Sequence, residues 1–488
     1  MSLVDAAIAA NRFGLGARPG ELSRIAGDPR GWLSAQLTPE TALPAPLAAL
    51  PSTTEDQAAF PRWLATLHLG GEAGAAVKAY GGADAMKPDE AAAMAPDGGK
   101  LSVEQSYVRT LLPLYAAALE ARVAVATTTD RPFFERLAHF WSNHFTVSAA
   151  KPEVIALPSA FERDVVRPNV TGRFEDMLTA STQHPGMLIY LDNYLSIGPN
   201  SFIAGHPQYL PQYLRGRMTG LNENLAREIL ELHTLGVRSG YTQVDVTSFA
   251  KILTGWSVQS ARRPSPDGKP FRFIGVNHEP GPQMLLGVAY PQDGVEQGEA
   301  ALNALAAHPA TANHVAAKLV RHFVADDPPP AAVARVAKVF RQTHGDLAQV
   351  SAALIDLPEA WAPAPAKLKP PEDYVVSAVR AMGAPRLTGR QLTAVFDRMG
   401  QKPYFAPGPD GWADVAANWI GPDPVWKRIE WADAVGKAVG SAGVDPVALA
   451  KDALGPRVSP ATLEAIRRAE SPAQGVALLL ASADFQRR

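Results

Sequence analysis

The 488-residue chain contains no cysteine. That absence excludes disulfides, thiolate nucleophiles, iron-sulfur clusters and cysteine-ligated zinc, and it leaves His, Asp and Glu as the only strong metal ligands. An excess of charge is missing too: 46 Lys and Arg face 48 Asp and Glu, a formal net charge of -2. A dedicated nucleic-acid binder carries a basic excess, so no nucleic-acid partner is expected. No apolar run reaches the roughly 18 residues of a membrane span. The N-terminus MSLVDAAIAANRFGLGARPGEL lacks the basic region and long apolar region of a secretory signal. With Met1 as the start, a soluble cytoplasmic protein is expected. Phosphate-loop and nucleophile-elbow patterns are also absent: no glycine-rich loop is followed by Lys-Ser/Thr, and no G-x-S-x-G occurs. Kinase and serine-hydrolase chemistry therefore have no motif support.

What the chain does have is alanine, leucine and three-to-four spacing of apolar residues, which predicts a mainly α, multi-helix bundle-like protein. Runs of β-branched residues are few. The stretch FRFIGVNHEPGPQMLLGVAY, inside Pro264 to Pro291, alternates apolar and polar residues around glycines and predicts a small β-hairpin insertion. We expect one integrated helical unit over 1–488. Within it, the composition marks N-terminal helices (1–68), a flexible loop rich in Gly, Ala, Asp and Met (69–102), a central helical core (103–260), the hairpin-like insertion (261–298) and a C-terminal helical lobe (299–488). Asp130 followed by Pro132 predicts a helix start, as does Thr242 with Asp245 three residues on, a capping box.

The segment Leu221 to Gly236, LNENLAREILELHTLG, concentrates more chemistry than any other. On a wheel of about 100° per residue, Asn224, Arg227, Glu228 and Glu231 share one stripe, while Leu225, Ala226, Ile229, Leu230 and Leu232 cover the other side with His233 among them. Glu231 and His233 point apart, which disfavours a helical di-metal carboxylate site, where Glu and His lie three or four residues apart. A structural reading of the stripe has Asn222 as cap and Glu223, Arg227 and Glu231 as exposed pairs four apart. The earlier run RPFFERLAHFWSNHFTVS places Phe133, Leu137, Phe140, Trp141 and Phe145 on one side with His144 among them, and His139 and Asn143 on the other. An imidazole in an aromatic face is either packed through one hydrogen bond or a tuned acid, base or ligand. Weaker candidates are His184 with Asp192, His278 with Glu279, and the row His314, Lys318, Arg321 and His322, which could hold a phosphate or carboxylate or could be a solvated face.

NRFGLGARPGE near the start, FWSNHFTVS at 140–148, HPGMLIYLDN at 184–193, GLNENLAREILELHTLGV at 220–237, YTQVDVTSFAKILTGW at 241–256, HEPGPQMLLG at 278–287 and KLKPPEDYVV at 367–376 together resemble the bacterial family catalogued as domain of unknown function 1800. The resemblance runs nearly the whole chain in order and implies one full-length helical protein. It supplies no established catalytic residues. NEN followed by HTL, eleven residues after the first Asn, also resembles the haem-proximal segment of animal-type haem peroxidases, with His144 in the place of their distal histidine.

These observations predict an enzyme of unassigned reaction whose site lies between the helix ending at His144 and the central helix. His144 is expected as acid, base or ligand, Glu228 as general base, and Arg227 as the holder of an anionic group. Asn143, Asn224 and Glu231 are expected to bind substrate. A divalent metal, with His144, Glu228 and Glu231 as candidate ligands, or a haem is compatible with this set, and no motif specifies either. The alternatives are a non-catalytic binding or scaffold protein with a protein partner, and a metal- or haem-dependent oxidoreductase.

Overall fold

The computed structural model describes residues 2–67, 102–210, 214–218, 220–237, 239–259, 268–365, 367–383, 386–440 and 443–488. The loop expected over 69–102 lies outside the described residues, apart from its last position. The architecture is mainly α with two small antiparallel strand pairs. Helix starts follow local chemistry. Complete capping boxes open the helices at Ser2, Ser52, Ser102, Thr242 and Thr388, each satisfying two backbone donors that the helix itself cannot pair. The Pro132–His144 helix starts differently from expectation. Pro132 occupies its first turn, but Asp130 does not cap it and pairs with Arg18 instead, while the Thr129 hydroxyl accepts from the Arg131 amide.

The β insertion contains the expected hairpin together with a second antiparallel pair. β1 (Trp256–Val258) pairs with β2 (Phe271–Phe273), and β3 (Gln283–Leu285) pairs with β4 (Val288–Tyr290). The first strand thus begins directly after the Gln243–Ile252 helix, upstream of the alternating stretch. Gly255, at φ 82°, makes that close turn.

Among the described residues three helices contain a five-residue π turn, at Ala9–Phe13, Glu162–Val166 and Ile229–His233. Each carries buried charged or polar groups: Asn11 and Arg12 in the first, Glu162 and Arg163 in the second, His233 in the third. Periodicity at 100° per residue cannot reveal such turns, because a π turn shifts the phase of everything after it.

Buried apolar side chains gather in two large clusters. One takes the N-terminal helix, the Pro132–His144 helix, the central helix and the Val295–Gln342 helices. The second takes the Leu112–Thr128 helix, the Pro371–Met382 helix and the C-terminal helices. Val103–Thr128 is the one helical stretch among the described residues that is long and apolar enough to cross a membrane. Its apolar surface is largely turned to protein. Tyr115, Leu119 and Val123 sit in the second core, and Arg122 in its middle pairs with Glu162 and Glu372. Buried ion pairs line the seam between the cores. Arg136 Nη1 meets Asp373 at 2.8 Å and Arg488 Nη1 meets the same carboxylate at 2.6 Å, while Arg167, bidentate on Glu135 at 2.9 Å, joins two elements of the first core. A buried guanidinium remains charged, so its desolvation must be offset by hydrogen-bonded partners, and the Asp373 contacts tie elements of the two cores together.

Candidate functional site

The last carbonyls of a helix have no intrahelical partner. At the end of the central helix two imidazoles supply one. His144 Nε2 lies 3.1 Å from the His233 carbonyl, and His314 Nε2 lies 2.9 Å from the Leu232 carbonyl. A carbonyl only accepts, so both rings carry their proton on Nε2. The His144 Nδ1 is then a lone pair, and it has no partner among the described residues. His144 stays neutral: burial first, then Lys318, His233 and His314, hold it well below the usual imidazole range. His233 is fully buried against the Phe145 ring at 5.0 Å, and burial with Lys318 pulls it down to about 3. Gly236, at φ 87°, lets the His314 ring close over the helix end, since a Cβ there would sit 2.7 Å from His314 Nδ1.

Behind these rings lies a cavity of about 410 Å3 at the seam of the two cores, a size that suits a small molecule. Asn143 and His144 line it, together with His139 and Phe140, so the two sides of the wheel, about 100° apart, face one space. The opposite wall is the segment 401–415, which has almost no regular structure. That wall is clasped to the Phe140–Ser148 segment. Asn143 exchanges two hydrogen bonds with the Trp412 backbone at 2.9 and 2.8 Å, Ser148 Oγ donates to the Ala406 carbonyl at 2.6 Å, and the Ala149 amide donates to the Tyr404 carbonyl at 2.7 Å. Tyr404 is held at φ 66°, a conformation a bulky residue seldom adopts.

The Pro309–Phe323 helix contributes a stripe at four-residue spacing, His314, Lys318 and His322, and the last two line the cavity. His322 Nδ1 is 2.7 Å from Asp414 Oδ2, which leaves Nε2 without a partner. Burial pushes the Asp414 carboxyl up, but His322 and Lys367 outweigh it and hold it below the usual carboxylate range. Lys318 has no hydrogen bond or ion pair among the described residues. Burial, assisted by Arg321, pulls its ammonium down to about 8 against the attraction of Asp414 and Asp410. The fully buried lysines on this seam are partnered: Lys367 meets Asp326 at 2.5 Å, and Lys369 donates to Ser377 Oγ at 3.1 Å.

The central-helix stripe sits differently. Asn224 is exposed, and its amide donates to the Asn222 side chain at 2.9 Å. Arg227 pairs with Glu223 at 3.1 Å and donates to Gln243 at 3.0 Å. Glu228 and Glu231 are half-buried, and Glu231 accepts from the Tyr241 hydroxyl at 3.5 Å. None of the four lines the cavity. Glu228 is linked to it through Asp410 on the rim: burial, then Glu231 and Asp410, raise the Glu228 carboxyl above its ordinary value. Among the described residues no three His, Asp or Glu side chains converge as a metal-holding group, His144, Glu228 and Glu231 included. His184 caps the Pro185–Tyr190 helix, His278 Nδ1 donates to the Thr254 carbonyl at 2.8 Å, and Glu279 accepts two bonds from Asn200, all structural roles. Sequence periodicity missed Asp414 and Asp410, because nothing local ties an irregular segment to a helix ninety residues earlier.

Fold and site define a mainly α protein with an imidazole- and lysine-lined cavity between two cores. The chain belongs to the family described as protein of unknown function (DUF1800), whose model matches residues 8–487. No curated protein and no solved structure matches it.

Proposed function

We propose that this protein is an enzyme acting on a small anionic substrate in the seam cavity. Lys318 and Arg321 hold the anionic group, and His322, oriented by Asp414, moves a proton at Nε2. His144 offers its Nδ1 lone pair as a fixed acceptor. Glu228 lies outside the cavity lining with Asn224, Arg227 and Glu231 and acts on the site only through its electrostatic coupling to Asp410. The observation that carries this reading is the His322–Asp414 pair with an unpartnered lysine one turn away on the same cavity wall. A base held by a carboxylate, beside a cation with no structural counter-ion, is an arrangement that folding alone does not require.

The test is a turnover screen of small carboxylates and phosphates with the wild type and Asp414→Asn side by side, after both are shown to be folded. A turnover reduced by about 100-fold or more in Asp414→Asn is expected. Turnover unaffected by this change would remove the dyad from the chemistry. The exposed Asn224 and the locally paired Arg227 favour a non-catalytic binding role for the central-helix stripe itself. Ligands that bind in the same screen without being converted would establish that alternative.

A further inference from the structure

We propose, building on that reading, that Lys318 is a covalent residue: its Nζ adds to the carbonyl carbon of a small 2-oxo acid held in the cavity and forms an imine. Three observations point to this. Lys318 is the lysine on the cavity wall with no hydrogen bond or ion pair, whereas Lys367 and Lys369 nearby are held by Asp326 and Ser377. Its position one turn before His322 puts the amine and the unpartnered Nε2 on one face of one helix. Arg321, next in the same wall and without an ion pair, is placed to take a carboxylate while the amine takes the adjacent carbonyl. The amine also loses its proton readily, because burial and Arg321 bring it to about 8, so a substantial neutral fraction exists near neutral pH.

The step balances without an oxidant or reductant. The Nζ lone pair forms the C–N bond while the carbonyl π pair moves to oxygen, which takes a proton from the His322 imidazolium to give a carbinolamine. One N–H proton of the amine then passes to that oxygen, the C–O bond breaks, and water leaves. The nitrogen keeps one proton as the iminium. Asp414, 2.7 Å from His322 Nδ1, orients the imidazole that passes the proton to oxygen.

The experiment is reductive trapping. The full-length protein is incubated with excess glyoxylate or pyruvate, treated with sodium borohydride, and mapped by peptide mass spectrometry, with a thermal-shift measurement of oxo-acid binding in parallel. One reduced adduct per chain at Lys318 is expected, formed faster as the pH rises toward 8. Lys318→Arg keeps the cation and cannot form an imine, so it should retain the thermal shift and lose the adduct. Lys318→Met should lose both. Binding by the wild type without an adduct would overturn the imine and leave the anion-binding reading standing, whereas a missing thermal shift would count against the reading beneath it. An adduct that persists in Lys318→Arg, or one spread over surface lysines, would likewise overturn the assignment.

Discussion

Arg12 shows how a single side chain can hold distant chain segments together. Its guanidinium, buried at the end of the first π turn, donates to the carbonyls of Ala360, Ala362 and Ala364. Ala360 is buried, while Ala362 and Ala364 can turn to water. Arg12→Met should therefore cost about 1–3 kcal/mol, chiefly from one dry acceptor left unpaired. Urea unfolding measures this, and a variant within about 0.5 kcal/mol of the wild type would contradict it. Arg12→Lys should recover only part, since an ammonium cannot span three carbonyls as a planar fork does. At this scale the sequence was partly informative. NRFG was visible as a motif, and His144 was visible as an imidazole among aromatics. Its role as a cap for another helix was not, because the partner is a backbone carbonyl and carries no side-chain signature.

At the level of elements, the clasp between the Phe140–Ser148 segment and the 401–415 wall depends on Gly411. Its φ is 80°, and a Cβ would lie 2.5 Å from the Asn143 carbonyl oxygen and 2.7 Å from its Oδ1. Gly411→Ala should lower the melting temperature and weaken the proposed oxo-acid binding together, because the same displacement opens the cavity wall. A lowered melting temperature with binding intact would show that the wall is not needed for the site. Helix starts were legible where caps are local: the Gln243–Ile252 helix begins after the Thr242 capping box with Asp245 three residues on, as expected. The central helix was less so. Its Ile229–His233 π turn breaks the assumed 100° rule, and the wheel therefore located His233 in the core without foreseeing that two histidines would close the helix end. A one-residue deletion within that turn would rotate both capped carbonyls away from their imidazoles.

For the molecule as a whole, buried titratable groups set the response to pH. His144, His184, His233 and His314 all have folded-state values depressed by burial, to about 3 for His184 and His233 and about 4 for His314. A depressed imidazole leaves stability intact above the unfolded value of about 6.5 and removes it as pH falls toward the folded value, because only the unfolded chain takes up the proton. Asp56, raised by burial to about 7, and Glu228, also raised, act in the opposite direction. Four imidazoles outweigh two carboxyls, so stability should fall between pH 6.5 and 4.5, each imidazole contributing a slope of up to about 1.4 kcal/mol per pH unit. Calorimetry at pH 7 and pH 5 checks this. Treating 1–488 as one unit predicts a single transition that moves to lower temperature at pH 5. An unchanged midpoint would refute the titration argument, and two separated transitions would refute the single unit. The cavity draws its walls from both cores, between Arg122 and Val415 in the chain. Any ligand that fills it binds only the state in which the cores are docked, so occupancy acts as a reversible cross-link, worth about 2.7 kcal/mol at a hundred times the dissociation constant. The concentration of whatever ligand occupies the cavity would then set how long the two cores stay docked.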